Sequence, residues 1–542
     1  MSQADQPSNQ AGIERSVGAP WKARAAAVFI AALAVRVSTA GWGGLSCDEA
    51  NCANIASASN WGQLFEYIKL DGNAPLIYVM LRIWGTIFGG ADLSLRIFAV
   101  LSGSLLAPLS YLLLRKQLGE RLSLATAALM AVCAPLVQFG NLVRPYAWLP
   151  ILSLVSTFLL MKLLESPRCK RNIFRYAVSL ATMVYLHHWG AMVAAGHAAM
   201  FIAGLVRGQW QREQILSWLA GAGLAFILYS PWLPVLAFDL ASDVSPWMTA
   251  PSWQELLFSM PVEAVSGYRE KPEWMSLAVA VWANAAVWAS LLWPGKVESA
   301  ASGQPPFPLR NWQIAAGCGL LASLLVSQFR PFWRDRYLTA FTPLLLVLYA
   351  VLSARFARRL PGRLAAILPV ALWLPVWIPQ LVFFHAFPES SAWALMEQLA
   401  VQCRPASDLV VVSFEAIAPQ VDRYLPAAVP VVSFPDLERV SVIPWAGINK
   451  RIREGNRMDR LLELMCDRLD SGGRVWLVES YHKYVPMPLN YPVQRLSFNA
   501  VEAVRMCQIR AWLDSHAVKD GKDLWAPGRE FSVMASCYRR AN

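Results

Sequence analysis

The stretch WKARAAAVFIAALAVRVSTAGW (21–42), followed shortly by CDEANCANIASASNW (47–61), sets the frame for the whole chain. Its first part is an apolar run of about 20 residues, long enough for a helix to cross the ~30 Å hydrocarbon core of a bilayer. Arg15, Lys22 and Arg24 precede or open it and Trp42 closes it. Cations are retained on the cytoplasmic side and Trp favours the interface, so the N-terminus is expected inside and residue 42 outside. No cleavage site follows the run, which reads as a retained span. The second part then lies at the outer surface as a short interfacial helix opening on Asp48-Glu49. Adjacent carboxylates beside apolar surroundings are costly to hold and suited to proton chemistry. Successive helical residues point about 100° apart, so one of the pair faces a cavity while the other packs, caps the helix or meets solvent. The bland alternative is that Ser46 or Asp48 caps this helix and its dipole favours acids in the first turn.

The same pattern continues along the chain. Of its 542 residues 56% are hydrophobic and 15% charged, against roughly 25% charged in a soluble domain. Apolar runs fall near 21–41, 93–114, 122–139, 147–164, 174–189, 190–206, 215–237, 274–293, 312–328, 338–354 and 364–384. With about eleven spans, the basic connections 115–121, 168–175, 207–212, 296–310 and 355–363 all fall inside. The net charge of +12 sits mostly in these short loops, so it reports topology rather than nucleic-acid binding. Trp42, Trp61, Trp148, Trp189, Trp232, Trp274, Trp293 and Trp333, among 24 in all, lie near the ends of the runs as an aromatic belt. The segment APLIYVMLRIWGTIFGG (74–90) is apolar too, but carries Arg82 at its middle. If it crossed, most later basic loops would move outside, so it is expected to lie in or against the outer interface.

Three regions are therefore expected: a polar cytoplasmic N-terminus (1–20), a transmembrane domain (21–384) with first outer loop 42–92, and an extracytoplasmic α/β domain (385–542). In the last, strand-like runs DLVVVS (408–413), VPVVSF (429–434) and RVWLVES (474–480) alternate with a helical stretch, Met458–Leu469, ended by Ser-Gly-Gly at 471–473. ESAASGQPPFP (298–308) is expected to be a flexible loop. The nine cysteines lack zinc spacing. For Cys403, Cys466, Cys507 and Cys537, one or two disulfides and free buried thiols both stay open.

Several outward segments carry candidate chemistry. LDGNAPLIY (70–78) places Asp71 and Asn73 before a helix-starting Pro: either a turn and cap, or a polar strip near Asp48. NLVRPYAW (141–148) puts Arg144 and Tyr146 outside, against the loop bias, for a phosphate partner or lipid head groups. LHHWG (186–190) sets His187 and His188 at an outer turn, where adjacent imidazoles suit proton transfer better than a shared metal. QFRPFWRDRYLTAFTP (328–343) offers Arg330, Arg334 and Arg336 around Asp335, with Tyr337 beside them. Three guanidiniums facing outward make an anion site suited to a phosphate, or else a lipid contact. Loop 238–273, with Asp239, Asp243, Glu255, Glu263, Arg269 and Glu270, is acidic and could cover a cavity.

Taken in order, DEANCANIAS, DGNAPLIYVMLRIWGTIFGGADLSLRIFAVLSG and VRPYAW, then the His-containing turn and the late Asp-Arg-Tyr-Leu, resemble the bacterial GT-C membrane glycosyltransferases. That broad group contains the protein O-mannosyltransferases and the lipid A aminoarabinose transferases. The resemblance is best over about 40–165 and continues around 181–200 and 328–350. It implies a polytopic α-helical fold in the bacterial inner membrane. It also implies inverting transfer of one sugar from a polyprenyl-phosphate carrier to an envelope glycan, lipid or protein outside the cytoplasm. Asp48 matches the first-loop acid and would be the general base, with Glu49 in a supporting or alternative role; Arg144, Arg334 and Arg336 would stabilise the leaving phosphate. Neither a nucleotide fingerprint nor a phosphate loop is present in the sequence, and a divalent metal stays open. Many relatives carry His-Pro where this chain has Asn73-Ala74. Asn73 hydrogen-bonds but does not titrate near neutral pH, so acceptor handling, or the exact sugar, stays open. The rivals are a transporter or lipid flippase, which the lack of a repeat or of Asp/Glu within the spans disfavours, and a scaffold acting through its tail.

Overall fold

A computed structural model describes residues 20–541 except 243, 267–272, 294–306, 332, 358–359, 387–391, 414, 481–492, 495 and 527–531. Most of the expected flexible tract 298–308, together with Asp243, Arg269 and Glu270, lies outside the described residues.

Helix α1 (Pro20–Thr39) leads into three short helices, α2 (Cys47–Ala56), α3 (Trp61–Asp71) and α4 (Leu76–Phe88). Next come α5 (Asp92–Ser104), α6 (Leu106–Val132), α7 (Ala134–Gly140), α8 (Leu149–Glu165), α9 (Lys170–Leu186), α10 (Gly190–Val206) and α11 (Arg212–Tyr229). The helical part closes with α12 (Leu233–Ala241), α13 (Met260–Val265), α14 (Glu273–Leu292), α15 (Leu309–Phe329), α16 (Thr342–Phe356), α17 (Gly362–Ala371) and α18 (Leu374–Ala386).

Among the described residues, four helical stretches are long and apolar enough to cross a membrane: Asp92–Val132, Pro145–Glu165, Arg212–Ala241 and Leu309–Phe329. Length and apolarity alone thus give fewer spans than eleven, for physical reasons. Other apolar helices are only 10–17 residues long, and α1 carries Lys22, Arg24 and Arg36. Asp92–Val132 is moreover broken at Gly119, whose φ of 77° no helical residue adopts. Tyr111 donates a 2.5 Å hydrogen bond to Glu120, although nine residues of straight helix rise about 13.5 Å. The chain folds back here, and Arg24 of α1 reaches the same Glu120 at 2.9 Å. The basic connection 115–121 is thus the tip of a hairpin between the expected runs 93–114 and 122–139.

Helix α10 packs along α15 through small residues. A Cβ at Gly196 would sit 2.0 Å from the Ala315 carbonyl oxygen, so the backbones meet because no side chain intervenes. Helix α4 has 13 residues and rises about 20 Å, short of a full crossing. It buries Ile77, Tyr78 and Leu81 and exposes Ile83, Ile87 and Phe88. Arg82 turns back to donate to the carbonyls of Ala56 and Ala58 at the end of α2 and covers the Trp61 ring.

Beyond α18, helices α19 (Ala392–Gln402), α20 (Ala418–Tyr424), α21 (Ile448–Arg451), α22 (Gly455–Asp470) and α23 (Phe498–His516) surround a mixed sheet. Its strands are β1 (Leu409–Val412), β2 (Val431–Ser433), β3 (Arg474–Ser480), β4 (Ala517–Lys519), β5 (Leu524–Ala526) and β6 (Val533–Arg540). Their order is β2-β1-β3-β6-β4 with β5 on β6; β1 runs parallel to β2 and β3, and β6 antiparallel to β3. Side chains alternate between faces. Val410 and Val412 join Leu395 and Val421 in one cluster, while Leu409 and Val411 join Leu461 and Val501 in another. Cover on both faces explains why the sequence of β1 is continuously apolar. All nine cysteines are free thiols in the structure, which matches the second of the two readings left open for the tail.

Residues 420–443 bind this sheet domain to the first outer loop. Gln420 donates to the Leu45 carbonyl at 2.7 Å, and Tyr424 accepts from Leu45 N–H at 2.6 Å while donating to Asp92 at 2.6 Å. Asn54 donates to the Ser441 carbonyl at 2.8 Å, and Ile443 N–H donates to Asn51 at 3.1 Å.

Candidate active site

Helix α2 separates its two acids as the helical angle requires. Glu49 turns into the protein and is fully buried. Its carboxylate caps Ser46 N–H at 2.9 Å, accepts from Val143 N–H at 2.8 Å and from Arg96 Nη2 at 3.0 Å, and meets Arg96 Nη1 as well. Burial opposes ionisation of Glu49, but Arg96 and these N–H groups outweigh it and hold the carboxyl below its usual value. Glu49 therefore does not line the cavity described next; it anchors α2, with Arg96 and two main-chain N–H groups around its oxygens.

Asp48 faces a cavity of about 180 Å3, the space of about six waters. Arg336 approaches its Oδ2 at 2.9 Å, and Arg144 donates to its main-chain oxygen at 3.3 Å. Burial raises the Asp48 pKa, while Arg336, Arg144 and Arg334 lower it by more, so the net shift is downward. Arg336 lies over the Tyr146 and Tyr337 rings, 5.9 and 6.0 Å from their centroids. It is held by an aromatic wall in which His187 stands 4.8 Å from Tyr337.

Asp71 ends α3, where Gly72 adopts φ 72° as a left-handed cap. The Asp71 carboxylate accepts from Asn51 and Asn73, each at 2.7 Å, and from Tyr78. Its pKa is raised by burial, which Arg144, Tyr78 and Asn73 only partly offset. Asn51 thus bridges Asp71 and, through Ile443, the sheet domain.

The cavity brings together Asp48, Asp71 and Asn73 with Arg144, Arg330 and Arg336. His187, His188 and Tyr337 complete the expected set. Three other expected residues stand outside its lining. Arg334 is exposed and acts on Asp48 through its field. Asp335 accepts from Arg336 N–H and starts the turn there. Tyr146 is buried behind Arg336. The sequence reading gave no role to Asp239, Trp247 or Trp445, which also line the cavity. Asp239 follows an apolar run and Trp445 comes from the distant sheet domain, so neither carries a local signal; Asn51 had one, its place one turn after Asp48. Among the described residues no three His, Cys, Asp or Glu side chains converge to hold a metal ion.

Residues 72–234 match the family described as dolichyl-phosphate-mannose-protein mannosyltransferase. The structure is similar to that of ArnT from Cupriavidus metallidurans bound to undecaprenyl phosphate, with TM-score 0.57 and 12% identity over 96% of this chain and 98% of that one. The fold is that of ArnT. The same ArnT in the apo state matches with TM-score 0.54 and 12% identity, over 85% of this chain and 93% of that one. No curated protein sequence matches the chain. The GT-C resemblance carried by the first outer loop is thus borne out at the level of fold, and the matched family segment begins within that loop.

Proposed function

We propose that this protein transfers a sugar from a polyprenyl-phosphate carrier to a hydroxyl acceptor at the outer face of the bacterial inner membrane. In this reading the chain crosses eleven times, with its N-terminus in the cytoplasm, residues 21–384 as the transmembrane domain and the sheet domain (385–542) outside. The acceptor oxygen attacks the anomeric carbon as the bond from that carbon to the phosphate oxygen breaks, so configuration inverts. The acceptor proton passes to Asp48. The carrier leaves as a phosphate anion, whose charge Arg336, Arg144 and Arg330 stabilise. A bound donor phosphate competes with Asp48 for Arg336. That exchange strengthens the base just when the donor is in place.

The observation that carries the reading is the 2.9 Å Asp48–Arg336 pair at a sugar-sized cavity that also holds Arg144. The GT-C fold supports it, as does the carrier phosphate named for the ArnT structure. The test is Asp48→Asn in membranes supplied with undecaprenyl-phosphate-linked sugars. Transfer is expected to fall about 10²–10⁴-fold, the usual range for a lost general base, with normal protein level. Near-wild-type transfer removes Asp48 as the base, and movement of the lipid without bond cleavage makes the protein a transporter instead.

A further inference from the structure

Asp239, in the last turn of α12, has a side chain with no present use. The residue is 4% exposed, and neither carboxylate oxygen accepts a hydrogen bond. Arg330 is adjacent, yet its guanidinium donates to the main-chain carbonyls of Asp239, at 3.0 Å, and Leu240. His188 Nε2 stands 4.0 Å from Asp239 Oδ2 and is also buried without a hydrogen bond. Both residues line the same cavity as Asp48 and Arg336. The other two acids there are engaged: Asp48 by Arg336, and Asp71 by Asn51, Asn73 and Tyr78. Buried polar groups in folded proteins almost always have partners, so an unsatisfied carboxylate opening on a cavity marks the place of a ligand.

The chemistry of that ligand follows from what surrounds it. A carboxylate only accepts hydrogen bonds, and offers about four positions for donors. Trp189 and Trp247 supply aromatic surface in the same lining. A small ring with apolar C–H faces and several hydroxyl donors fits both, while its phosphate meets the guanidiniums of Arg144 and Arg336. Resting on the glycosyltransferase reading above, we propose that Asp239 and His188 form the specificity pair that binds the hydroxyls of the transferred sugar ring, separately from the groups that bind the carrier phosphate.

The experiment measures the affinity of the full-length protein in nanodiscs for bare undecaprenyl phosphate and for a series of undecaprenyl-phosphoryl hexoses and pentoses. Wild type is expected to bind at least one sugar-linked carrier about tenfold more tightly than the bare carrier. Asp239→Asn, Asp239→Ala and His188→Gln should lose that tenfold gain and keep bare-carrier affinity within about twofold. Arg336→Gln should do the reverse, weakening both forms and keeping the gain. A full gain in Asp239→Ala overturns the proposal, as does a wild type that prefers no sugar-linked carrier. Equal weakening of both forms in the Asp239 variants also overturns it. Failure of wild type to bind the bare carrier would instead sink the glycosyltransferase reading itself.

Discussion

Two acid–arginine pairs begin one residue apart on α2 and end in opposite surroundings. Glu49–Arg96 is sealed, with side-chain exposures of 0% and 4%. Asp48–Arg336 is open to the cavity, at 33% and 17%. The first carboxylate has every acceptor position filled and serves to fix the helix. The second is held chiefly by a cation that, in the proposed mechanism, a donor phosphate draws away. On that reading the same two residue types serve the fold or the chemistry according to whether a competitor can reach them, and the first pair anchors the helix that carries the second.

The sharpest way to break this contrast is Glu49→Ala, which leaves Arg96 buried without its partner. The expected loss is about 3–5 kcal/mol, a large share of a typical folding stability, read as a fall in folded protein and melting temperature. Asp48→Asn should leave both near wild type. Next in size is Arg336→Gln, expected to lower transfer about 10²–10³-fold, as for other lost stabilisers of developing negative charge. It also tests the pKa argument. In the wild type the cations hold Asp48 low, so the base stays ionised until pH falls through that depressed value. Without Arg336 only Arg144 and Arg334 oppose burial, and the acid limb of kcat/KM should move to higher pH; an unmoved limb would mean another group sets it. The smallest effect is expected from Asn51→Ala, which removes the link between Asp71 and Ile443. A loss of about 1–2 kcal/mol is expected from the hydrogen bonds given up. It should be seen as faster proteolysis of the sheet domain, with Glu49 and Arg96 still paired.

Much of the fold was legible because membrane crossing imposes simple rules. The basic connection 115–121 marked the α6 hairpin, and Arg82 set α4 apart from the other apolar segments. Strands β1, β2 and β3 could be read from their Val-rich runs, since both sheet faces are covered. Strand β6, VMASCYRR, could not: its Ala, Ser and Cys have weak strand preference, and the surrounding pairing decides its state. Of the residues lining the cavity, Asp48, Asp71, Arg144 and Arg336 were legible because charged residues stand out between apolar runs. Which of Asp48 and Glu49 faces the cavity was open, since the helical angle separates them without saying which side packs. Asp239 was passed over because its meaning depends on what fails to bond with it, a property of the assembled structure.

The strap running from Gln420 to Ile443 has a consequence for how the protein is made. Asn51 and Ile443 lie 392 positions apart in the chain, so the tie between the first outer loop and the sheet domain closes late in synthesis. The first outer loop therefore leaves the ribosome long before the segment that ties it to the sheet domain, and waits for that tie until residue 443 has been added.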